Sequence, residues 1–442
     1  MTFDTLIHNA ILLTCNPAFD ILHGGWLGVS GGKIEGLGTV QANGLPEARE
    51  TIDARGGIVM PGLVNTHTHL PMTLFRGLAD DLPLATWLED HIFPAEHAAI
   101  QPESVRWATL LACAEMALSG TTTCCDGYFY EGVVAGAVHD VGLRGVLAQG
   151  VIDHPAPGVP DPVRNLSAAR QFCRDWLGQS ERIRPSVFCH SPYTCSRETL
   201  VSAKRLCDEF GLLFQIHVAE SRWESDHIRS THGASPVAYL DRLGVLDERT
   251  LLVHCVWVDD EDITVIAARR AKVSHNPESN MKLASGVAPV DRMLSAGITV
   301  GLGTDGCASN NDLDLFPAMD TTAKLHKVKR LDPTVLPAEA VIRMATIDGA
   351  RALGLEREIG SLEPGKQADL IIINTRAPHL TPIHHPASAI VYAAKGSDVQ
   401  TVMVAGQLRV ENRTLRGMDV EAIMNQTGTI SRSLMDGVQR KA

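Results

Sequence analysis

The sequence predicts an α/β protein: a (β/α)8 TIM-type barrel with a small β-sandwich domain built from both termini. Two observations support this prediction. Between about residues 58 and 357, short apolar runs alternate with longer helical patterns, as expected for parallel strands joined by helices. About eight such units fit, and eight units close a barrel. Both ends of the chain have a different pattern, with short strands separated by glycine-containing turns.

The predicted limits follow from these changes of pattern. We assign 1–57 and 358–425 to the small β domain, 58–357 to the barrel and 426–442 to a C-terminal tail. Strands of the barrel are predicted at 58–64, 120–125, 143–151, 183–189, 212–218, 250–254, 271–274 and 298–302. Helices are predicted at 104–118, 163–177, 197–210, 235–243 and 259–270. Later strands of the small domain are predicted at 359–362, 368–373 and 399–404.

Composition excludes several classes of protein. The chain has 442 residues and a net charge of −12, which argues against nucleic acid as a partner because phosphate binding needs concentrated Lys and Arg. The sequence contains no run of 18 apolar residues, so no membrane span is predicted. The N-terminus lacks a basic segment followed by an apolar run, so we expect no signal peptide and a cytoplasmic protein. Ten cysteines without a CxxC pair favour reduced thiols.

The first candidate site motif is His67-Thr68-His69, which follows the apolar run at 58–64. Residues i and i+2 of a strand face the same side, so both imidazoles point one way. They lie at the carboxyl end of a predicted strand, where barrel enzymes place their chemistry. Two neutral imidazoles suit a borderline-soft cation such as zinc. Taken alone, the motif is equally compatible with two surface histidines.

Further predicted strands also end in a residue that can bind a metal. His190, His217, His254 and Asp305 each close such a run, and Glu220 follows His217 by three positions. Singly, each could be a hydrogen-bonded core residue, but repeated placement at strand ends predicts one metal site with histidine and aspartate ligands. A nearby carboxylate can move the protons of a hydrolytic reaction. A second metal would need a bridging group, and the mid-barrel position holds His190 rather than lysine, so one metal is predicted.

Several longer motifs resemble the amidohydrolase superfamily over nearly the whole chain. They are Pro61-Gly62-Leu63-Val64-Asn65-Thr66-His67-Thr68-His69, His-Val-Ala-Glu at 217–220, Gly-Thr-Asp-Gly at 303–306 and the segment 360–370. Within the superfamily, the segments 274–283 and 306–315 resemble the 5-methylthioadenosine/S-adenosylhomocysteine deaminases, in a branch shared with triazine hydrolases and guanine-type deaminases.

The resemblance implies a role for each site residue. It implies that one divalent ion, Zn²⁺ first with Fe²⁺, Mn²⁺ or Ni²⁺ as alternatives, is held by His67, His69, His217 and Asp305. The implied catalytic residues are Glu220 as proton shuttle, His254 as the group that polarises or orients the attacked group, and Asp305 as acceptor of a proton from the attacking water. The implied substrate-binding residues are Trp87 against the nucleoside, Glu96 at the ribose hydroxyls, His190, Glu220 and His254.

The implied function is hydrolytic deamination of adenine nucleosides, namely 5′-methylthioadenosine, adenosine and, as a further candidate, S-adenosylhomocysteine. Gln149 stands where homocysteine-binding relatives carry an arginine, which favours the first two. The alternatives are a guanine or 8-oxoguanine deaminase, a triazine hydrolase, or a non-catalytic metal-binding barrel. The resemblance also implies a homodimer or homotetramer.

Overall fold

The computed structural model describes residues 2–40, 44–82 and 86–439. Its strands are β1 (Phe3–Leu13), β2 (Ile21–Ser30), β3 (Lys33–Thr39), β4 (Ala48–Asp53), β5 (Ile58–Pro61), β6 (Leu63–Thr68), β7 (Thr121–Tyr128), β8 (Arg144–Val151), β9 (Ile183–Cys189), β10 (Phe214–Val218), β11 (Thr250–His254), β12 (Lys272–His275), β13 (Val300–Leu302), β14 (Leu370–Ile373), β15 (Val399–Val404), β16 (Gln407–Glu411) and β17 (Thr414–Leu415).

The α-helices in these ranges are α1 (Phe93–Ala99), α2 (Pro102–Leu118), α3 (Glu131–Val141), α4 (Asn165–Trp176), α5 (Arg197–Phe210), α6 (Arg222–His232), α7 (Pro236–Arg242), α8 (Asp260–Arg269), α9 (Pro277–Lys282), α10 (Val290–Ser295), α11 (Leu315–Arg330), α12 (Ala338–Met344), α13 (Ile347–Ala352), α14 (Pro386–Tyr392) and α15 (Val420–Gln439). A π-helix, Trp87–Ile92, leads directly into α1.

The barrel consists of eight strands, β6 to β13, hydrogen-bonded in the order of the chain. The pairings from β8 to β13 are parallel. The two ends of the sheet meet where the N–H of Asp305, just after β13, donates to the carbonyl oxygen of His67 in β6 at 3.0 Å. Sequential parallel strands joined by helices confirm the predicted (β/α)8 fold class.

Most predicted elements of the barrel agree with the structure because the residues that end a strand or cap a helix are adjacent to that element in the sequence. The strands predicted at 183–189 and 250–254 have the predicted limits. Ser235 and Asp259, the first residues of two predicted helices, are the N-caps of α7 and α8. The run at 58–64 is the exception, since Gly62 separates β5 from β6. A Cβ on Gly62 would lie 2.2 Å from the Thr122 side chain, so the chain needs glycine there.

A second, mixed sheet contains strands from both ends of the chain, as predicted. Its order is β17-β16-β15-β14-β5-β1-β2-β3, and β4 pairs with β1. Leu12, Val29, Leu370 and Met403 belong to one buried apolar cluster, so early and late strands share a core. The strand predicted at 359–362 is wrong. Gly360 has φ +89° and turns the chain there.

By the contacts among its residues, the chain forms two compact units. One comprises 1–65, 114–123 and 314–418, and the other comprises 66–113, 124–313 and 419–442. All candidate site residues belong to the second unit. The domain limits at 57/58, 357/358 and 425/426 stay predictions.

The segment predicted as a C-terminal tail continues a helix, α15, which begins at Val420. Thr427 donates through Oγ1 to the carbonyl oxygen of Trp107 at 3.2 Å, and Ser431 through Oγ to that of Leu74 at 3.4 Å. The helix therefore packs within the unit that contains the candidate site residues. Within the described ranges, neither α15 nor any other helix combines the length and apolar character that crossing a membrane requires.

Candidate metal-dependent active site

The four predicted metal ligands lie together at the carboxyl ends of the barrel strands. His67 lies near the end of β6 and His69 follows that strand, His217 is in β10, and Asp305 follows β13. All four side chains are buried. Since carboxyl ends of parallel strands meet at one rim, strands distant in sequence deliver these residues to one point.

The distances between the donor atoms fit a metal ion. His67 Nε2 lies 3.1 Å from His217 Nε2, and Asp305 Oδ1 lies 3.4 Å from the Nε2 atoms of both His67 and His69. The ligand atoms of His67, His69 and His217 all lie within 4.8 Å of one another. Three imidazole nitrogens and a carboxylate oxygen form a donor set suited to a divalent transition metal.

Neighbouring groups orient two of these ligands. His69 Nδ1–H donates to the carbonyl oxygen of Gly127 at 2.8 Å, so its Nε2 carries the free lone pair. Ser279 Oγ donates to Asp305 Oδ2 at 2.7 Å, and the backbone N–H of Gly306 donates to Oδ1, the oxygen on the histidine side of the site, at 2.8 Å. These contacts are of the kind that fixes the tautomer and direction of metal ligands.

The electrostatic environment also favours metal binding. Burial lowers the pKa of His67 to about 4, and burial together with the neighbouring histidines lowers the pKa of His217 well below its usual value. Burial acts to raise the pKa of Asp305, but His67 and the other histidines bring it well below its usual range. At neutral pH the imidazoles of His67 and His217 are therefore neutral and the carboxylate of Asp305 is ionised, the states that bind a cation.

Glu220 and His254 lie next to the ligands. His254 Nε2 is 3.8 Å from Glu220 Oε2 and 3.9 Å from Asp305 Oδ2. His254 Nδ1–H donates to Asn280 Oδ1 at 2.9 Å, which directs Nε2 into the site. Burial raises the pKa of Glu220. A carboxyl group with a raised pKa in a cleft is suited to accept and return a proton near neutral pH.

The substrate candidates line the same cavity, here called the inner cavity. Its lining includes Trp87, Glu96 and His190 together with His69, His217, Glu220, His254 and Asp305. The π-helix Trp87–Ile92 and the helix α1 carry Trp87 and Glu96, and both residues are buried. His190 Nδ1 is 2.9 Å from Thr194 Oγ1, and burial lowers the pKa of His190 to about 4.

A larger outer cavity of about 670 Å³ shares part of this lining. Glu96 and His190 line both cavities, whereas none of the four candidate ligands lines the outer one. Glu96 therefore lies where the two cavities overlap.

Glu96 has a partner that the sequence did not indicate. The Tyr128 hydroxyl, at the end of β7, donates to Glu96 Oε1. Burial raises the pKa of Glu96 to about 7, although this hydrogen bond acts in the opposite direction. Glu96 thus changes its charge within the physiological pH range.

Three other residues contribute to the site, although the sequence did not single them out. Ser279 and Asn280 lie in the motif at 274–283, which carried the family resemblance without revealing that these two side chains orient Asp305 and His254. Glu224 lies in none of the motifs identified in the sequence, although its carboxylate accepts the backbone N–H of Glu220. Gln149 does not line either cavity, since it is buried and its Oε1 accepts from the backbone N–H of Glu131 at 3.2 Å.

The model of the amidohydrolase family matches residues 58–409, which contain every candidate site residue. Because the match covers more than half of the chain, the protein belongs to the amidohydrolase family. Its similarity to individual members extends over nearly all of the chain.

Two relatives and one solved structure illustrate this similarity. The 5-methylthioadenosine/S-adenosylhomocysteine deaminase of Syntrophobacter fumaroxidans is 44% identical over 98% of both chains. The 5′-deoxyadenosine deaminase of Methanothermobacter thermautotrophicus is 49% identical over 86% of this chain and 88% of its own. The crystal structure of an adenosine deaminase from Xanthomonas campestris with bound zinc is 36% identical, with a TM-score of 0.96, over 98% of this chain and 99% of its own.

Proposed function

We propose that the protein is a zinc-dependent hydrolase that deaminates the adenine ring of nucleosides to inosine-type products and ammonia. The observation that carries the proposal is that one cavity joins two groups of residues. One group is the histidine and aspartate cluster with Glu220 beside it, and the other is Glu96 with Trp87. The deaminase relatives support the same reaction and the same class of substrate.

His67, His69, His217 and Asp305 are the residues that would hold the ion. When bound there, a zinc ion supplies Lewis acidity that lowers the pKa of water towards 7. Zinc is proposed before iron, manganese or nickel because the donor set suits it and the related adenosine deaminase structure contains it.

Glu220, His254 and Asp305 carry out the proton transfers in this proposal. The Glu220 carboxyl group delivers its proton to the ring nitrogen next to the attacked carbon, and Asp305 accepts one proton from the attacking water. The Glu220 carboxylate then takes the second water proton from the added oxygen as the new carbonyl group forms and passes it to the amino group, which leaves as ammonia. The proton held by Asp305 restores the Glu220 carboxyl group. His254, held by Asn280, hydrogen-bonds the oxygen that forms the new carbonyl group and orients it.

Glu96 and Trp87 favour a nucleoside over a free base or a triazine. A carboxylate can accept hydrogen bonds from both hydroxyls of a ribose, and Trp87 offers an apolar surface to the nucleoside. Guanine, 8-oxoguanine and triazines lack a ribose, so they offer no ribose hydroxyls to the buried Glu96. Glu220 further favours deamination over dechlorination, since chloride leaves without being protonated.

In this proposal the outer cavity binds the 5′ substituent of the nucleoside. If Glu96 binds the ribose where the cavities overlap, the 5′ substituent lies in the outer cavity. Its described lining is largely apolar and aromatic, with Phe93, Phe129, Tyr193 and Trp223, and includes the acidic Glu89. No lysine or arginine is among the described residues of this lining. An amino-acid carboxylate therefore finds no permanent positive charge, and an uncharged substituent is preferred.

An activity panel tests the proposed function. With purified protein, we expect 5′-methylthioadenosine and 5′-deoxyadenosine to be converted with a kcat/KM at least tenfold above that of S-adenosylhomocysteine, because the latter loses a charge-assisted hydrogen bond worth about 1.5–3 kcal/mol. Ultraviolet absorbance follows conversion of adenine to hypoxanthine. Faster turnover of guanine, 8-oxoguanine or a chlorotriazine than of every adenine nucleoside would contradict the proposal. Complete inactivity would favour a non-catalytic barrel.

The pKa of Glu96 leads us to expect that the preference for a ribose over a 2′-deoxyribose substrate depends on pH. Its pKa of about 7 means that the carboxylate is present above pH 7 and is lost as the pH falls below it. We therefore expect the ratio of kcat/KM for adenosine to that for its 2′-deoxy analogue to fall from pH 8 to pH 6. The Glu96→Gln variant should show a lower ratio without this change. A ratio that is constant over this range in the unmodified protein would remove Glu96 from the ribose site.

A further inference from the structure

Glu224 is a buried carboxylate that the reaction described above does not use. It lies in the first turn of α6 and is 2% exposed. Its Oε1 accepts the backbone N–H of Ala219 at 2.8 Å, and its Oε2 accepts the backbone N–H of Glu220 at 2.9 Å. Both oxygens of one side chain thus hold the two residues at which the chain leaves strand β10.

This contact differs from an ordinary helix cap. In a capping box, the acidic residue at the third helical position bonds the backbone of the cap residue itself. Here Ser221 is the cap, and its hydroxyl accepts the N–H of Glu224 at 3.1 Å. The carboxylate of Glu224 reaches past Ser221 to the two preceding residues. It therefore holds the connection between strand and helix rather than the helix terminus alone.

The connection needs such support because of its backbone conformation. Ala219 has φ +51°, in the left-handed region that residues with a side chain rarely adopt. On the opposite side, the carbonyl oxygen of Ala219 accepts the N–H of Trp257 at 2.8 Å. The peptide group before Glu220 is thus held at both its ends, and the Glu220 side chain begins from a backbone with little freedom.

We propose that Glu224 is a positioning residue that acts through Glu220, holding its carboxyl group beside His254 and Asp305. The inference rests on the proposed deaminase function, in which Glu220 moves the protons. Glu224 itself does not line the inner cavity, and in this proposal it acts on turnover through its two hydrogen bonds to the backbone of Ala219 and Glu220.

The Glu224→Gln variant tests this inference. The amide replaces one oxygen with an NH2 group, so one of the two backbone N–H groups faces another donor. We expect kcat to fall at least tenfold, while KM, metal content and the midpoint of thermal unfolding stay close to those of the unmodified protein. Asp262→Asn is the matched control, because Asp262 is a buried residue in the first turn of α8 whose carboxylate accepts from the Ser235 hydroxyl and the backbone N–H of Asp259 rather than from Glu220.

A double-mutant cycle separates positioning from general stability. If Glu224 acts through Glu220, adding Glu224→Gln to Glu220→Gln should lower kcat by less than twofold further. An unchanged kcat in folded Glu224→Gln, or an equal loss in both backgrounds, would overturn the inference. The inference would also be overturned if Glu224→Gln lost kcat, bound metal and thermal stability together and Asp262→Asn showed the same losses. If Glu224→Gln does not fold, Glu224→Asp, one methylene shorter, is judged by the same comparison.

Amide hydrogen exchange distinguishes failure of this inference from failure of the proposed function. Faster exchange at the N–H groups of Ala219 and Glu220 in Glu224→Gln supports the positioning role even if the unmodified protein deaminates no nucleoside. Unchanged exchange at both groups overturns it whatever the activity. An inactive unmodified protein, in contrast, overturns the deaminase proposal alone.

Discussion

Replacing Glu220 with glutamine is expected to lower kcat for 5′-methylthioadenosine by about 10²–10⁴-fold, the usual contribution of a general acid–base group. Glutamine has nearly the same shape but cannot accept a proton from water and return it to the ring. Glu220 is not among the four candidate ligands, so the metal content should remain close to that of the unmodified protein.

The test combines steady-state kinetics with metal analysis of the same sample. Asp226→Asn is a suitable control, since Asp226 lies on the helix that follows Glu220 and its side chain is 69% exposed beside Arg222. The control should retain its kcat. Deamination by Glu220→Gln within a few-fold of the unmodified rate would remove Glu220 from the proton transfers and leave His254 or Asp305 to perform them.

Replacing His217 with alanine is expected to abolish both stoichiometric zinc binding and activity. His217 Nε2 lies 3.1 Å from His67 Nε2, so its loss removes one of the converging imidazole donors. Zinc in such sites is held by a small number of protein ligands, and losing one weakens binding strongly. We expect zinc per chain to fall from about one to well below one half and kcat to fall by more than about 10³-fold.

His190 provides a neighbouring control for this experiment. Its ring centroid is 5.3 Å from that of His217, but it is predicted to contact substrate rather than metal. His190→Ala should therefore keep its zinc and show altered KM or kcat. Full zinc binding by His217→Ala, or loss of zinc from His190→Ala alone, would contradict the assignment of the ligands.

The sequence predicted the barrel and the residues of its rim well because both depend on local patterns. A strand such as Thr250–His254 is a short apolar run that ends in a chemically distinctive residue, and parallel strands bring such ends together. The convergence of His67, His217 and Asp305 follows from topology as soon as the barrel is assumed. Their individual roles remain predictions of the family resemblance.

The parts that could not be predicted depend on contacts between distant residues. Nothing near Glu96 in the sequence indicates that the Tyr128 hydroxyl meets it, since the two lie on different elements. The sequence shows only that Gln149 stands where homocysteine-binding relatives carry an arginine, and not that its Oε1 accepts the backbone N–H of Glu131. The segment 359–362 has an apolar pattern typical of a strand. The structure instead has a turn there, at which Gly360 adopts a positive φ.

The most direct test of the account is ammonia release from 5′-methylthioadenosine by protein stripped of metal with a chelator and then reloaded with zinc. We predict one ammonia for each adenine ring converted, almost no release from the stripped protein, and recovery with about one zinc per chain. Undiminished ammonia release from protein shown to contain no metal would contradict the central claim, as would reloaded protein that releases no ammonia from any adenine nucleoside.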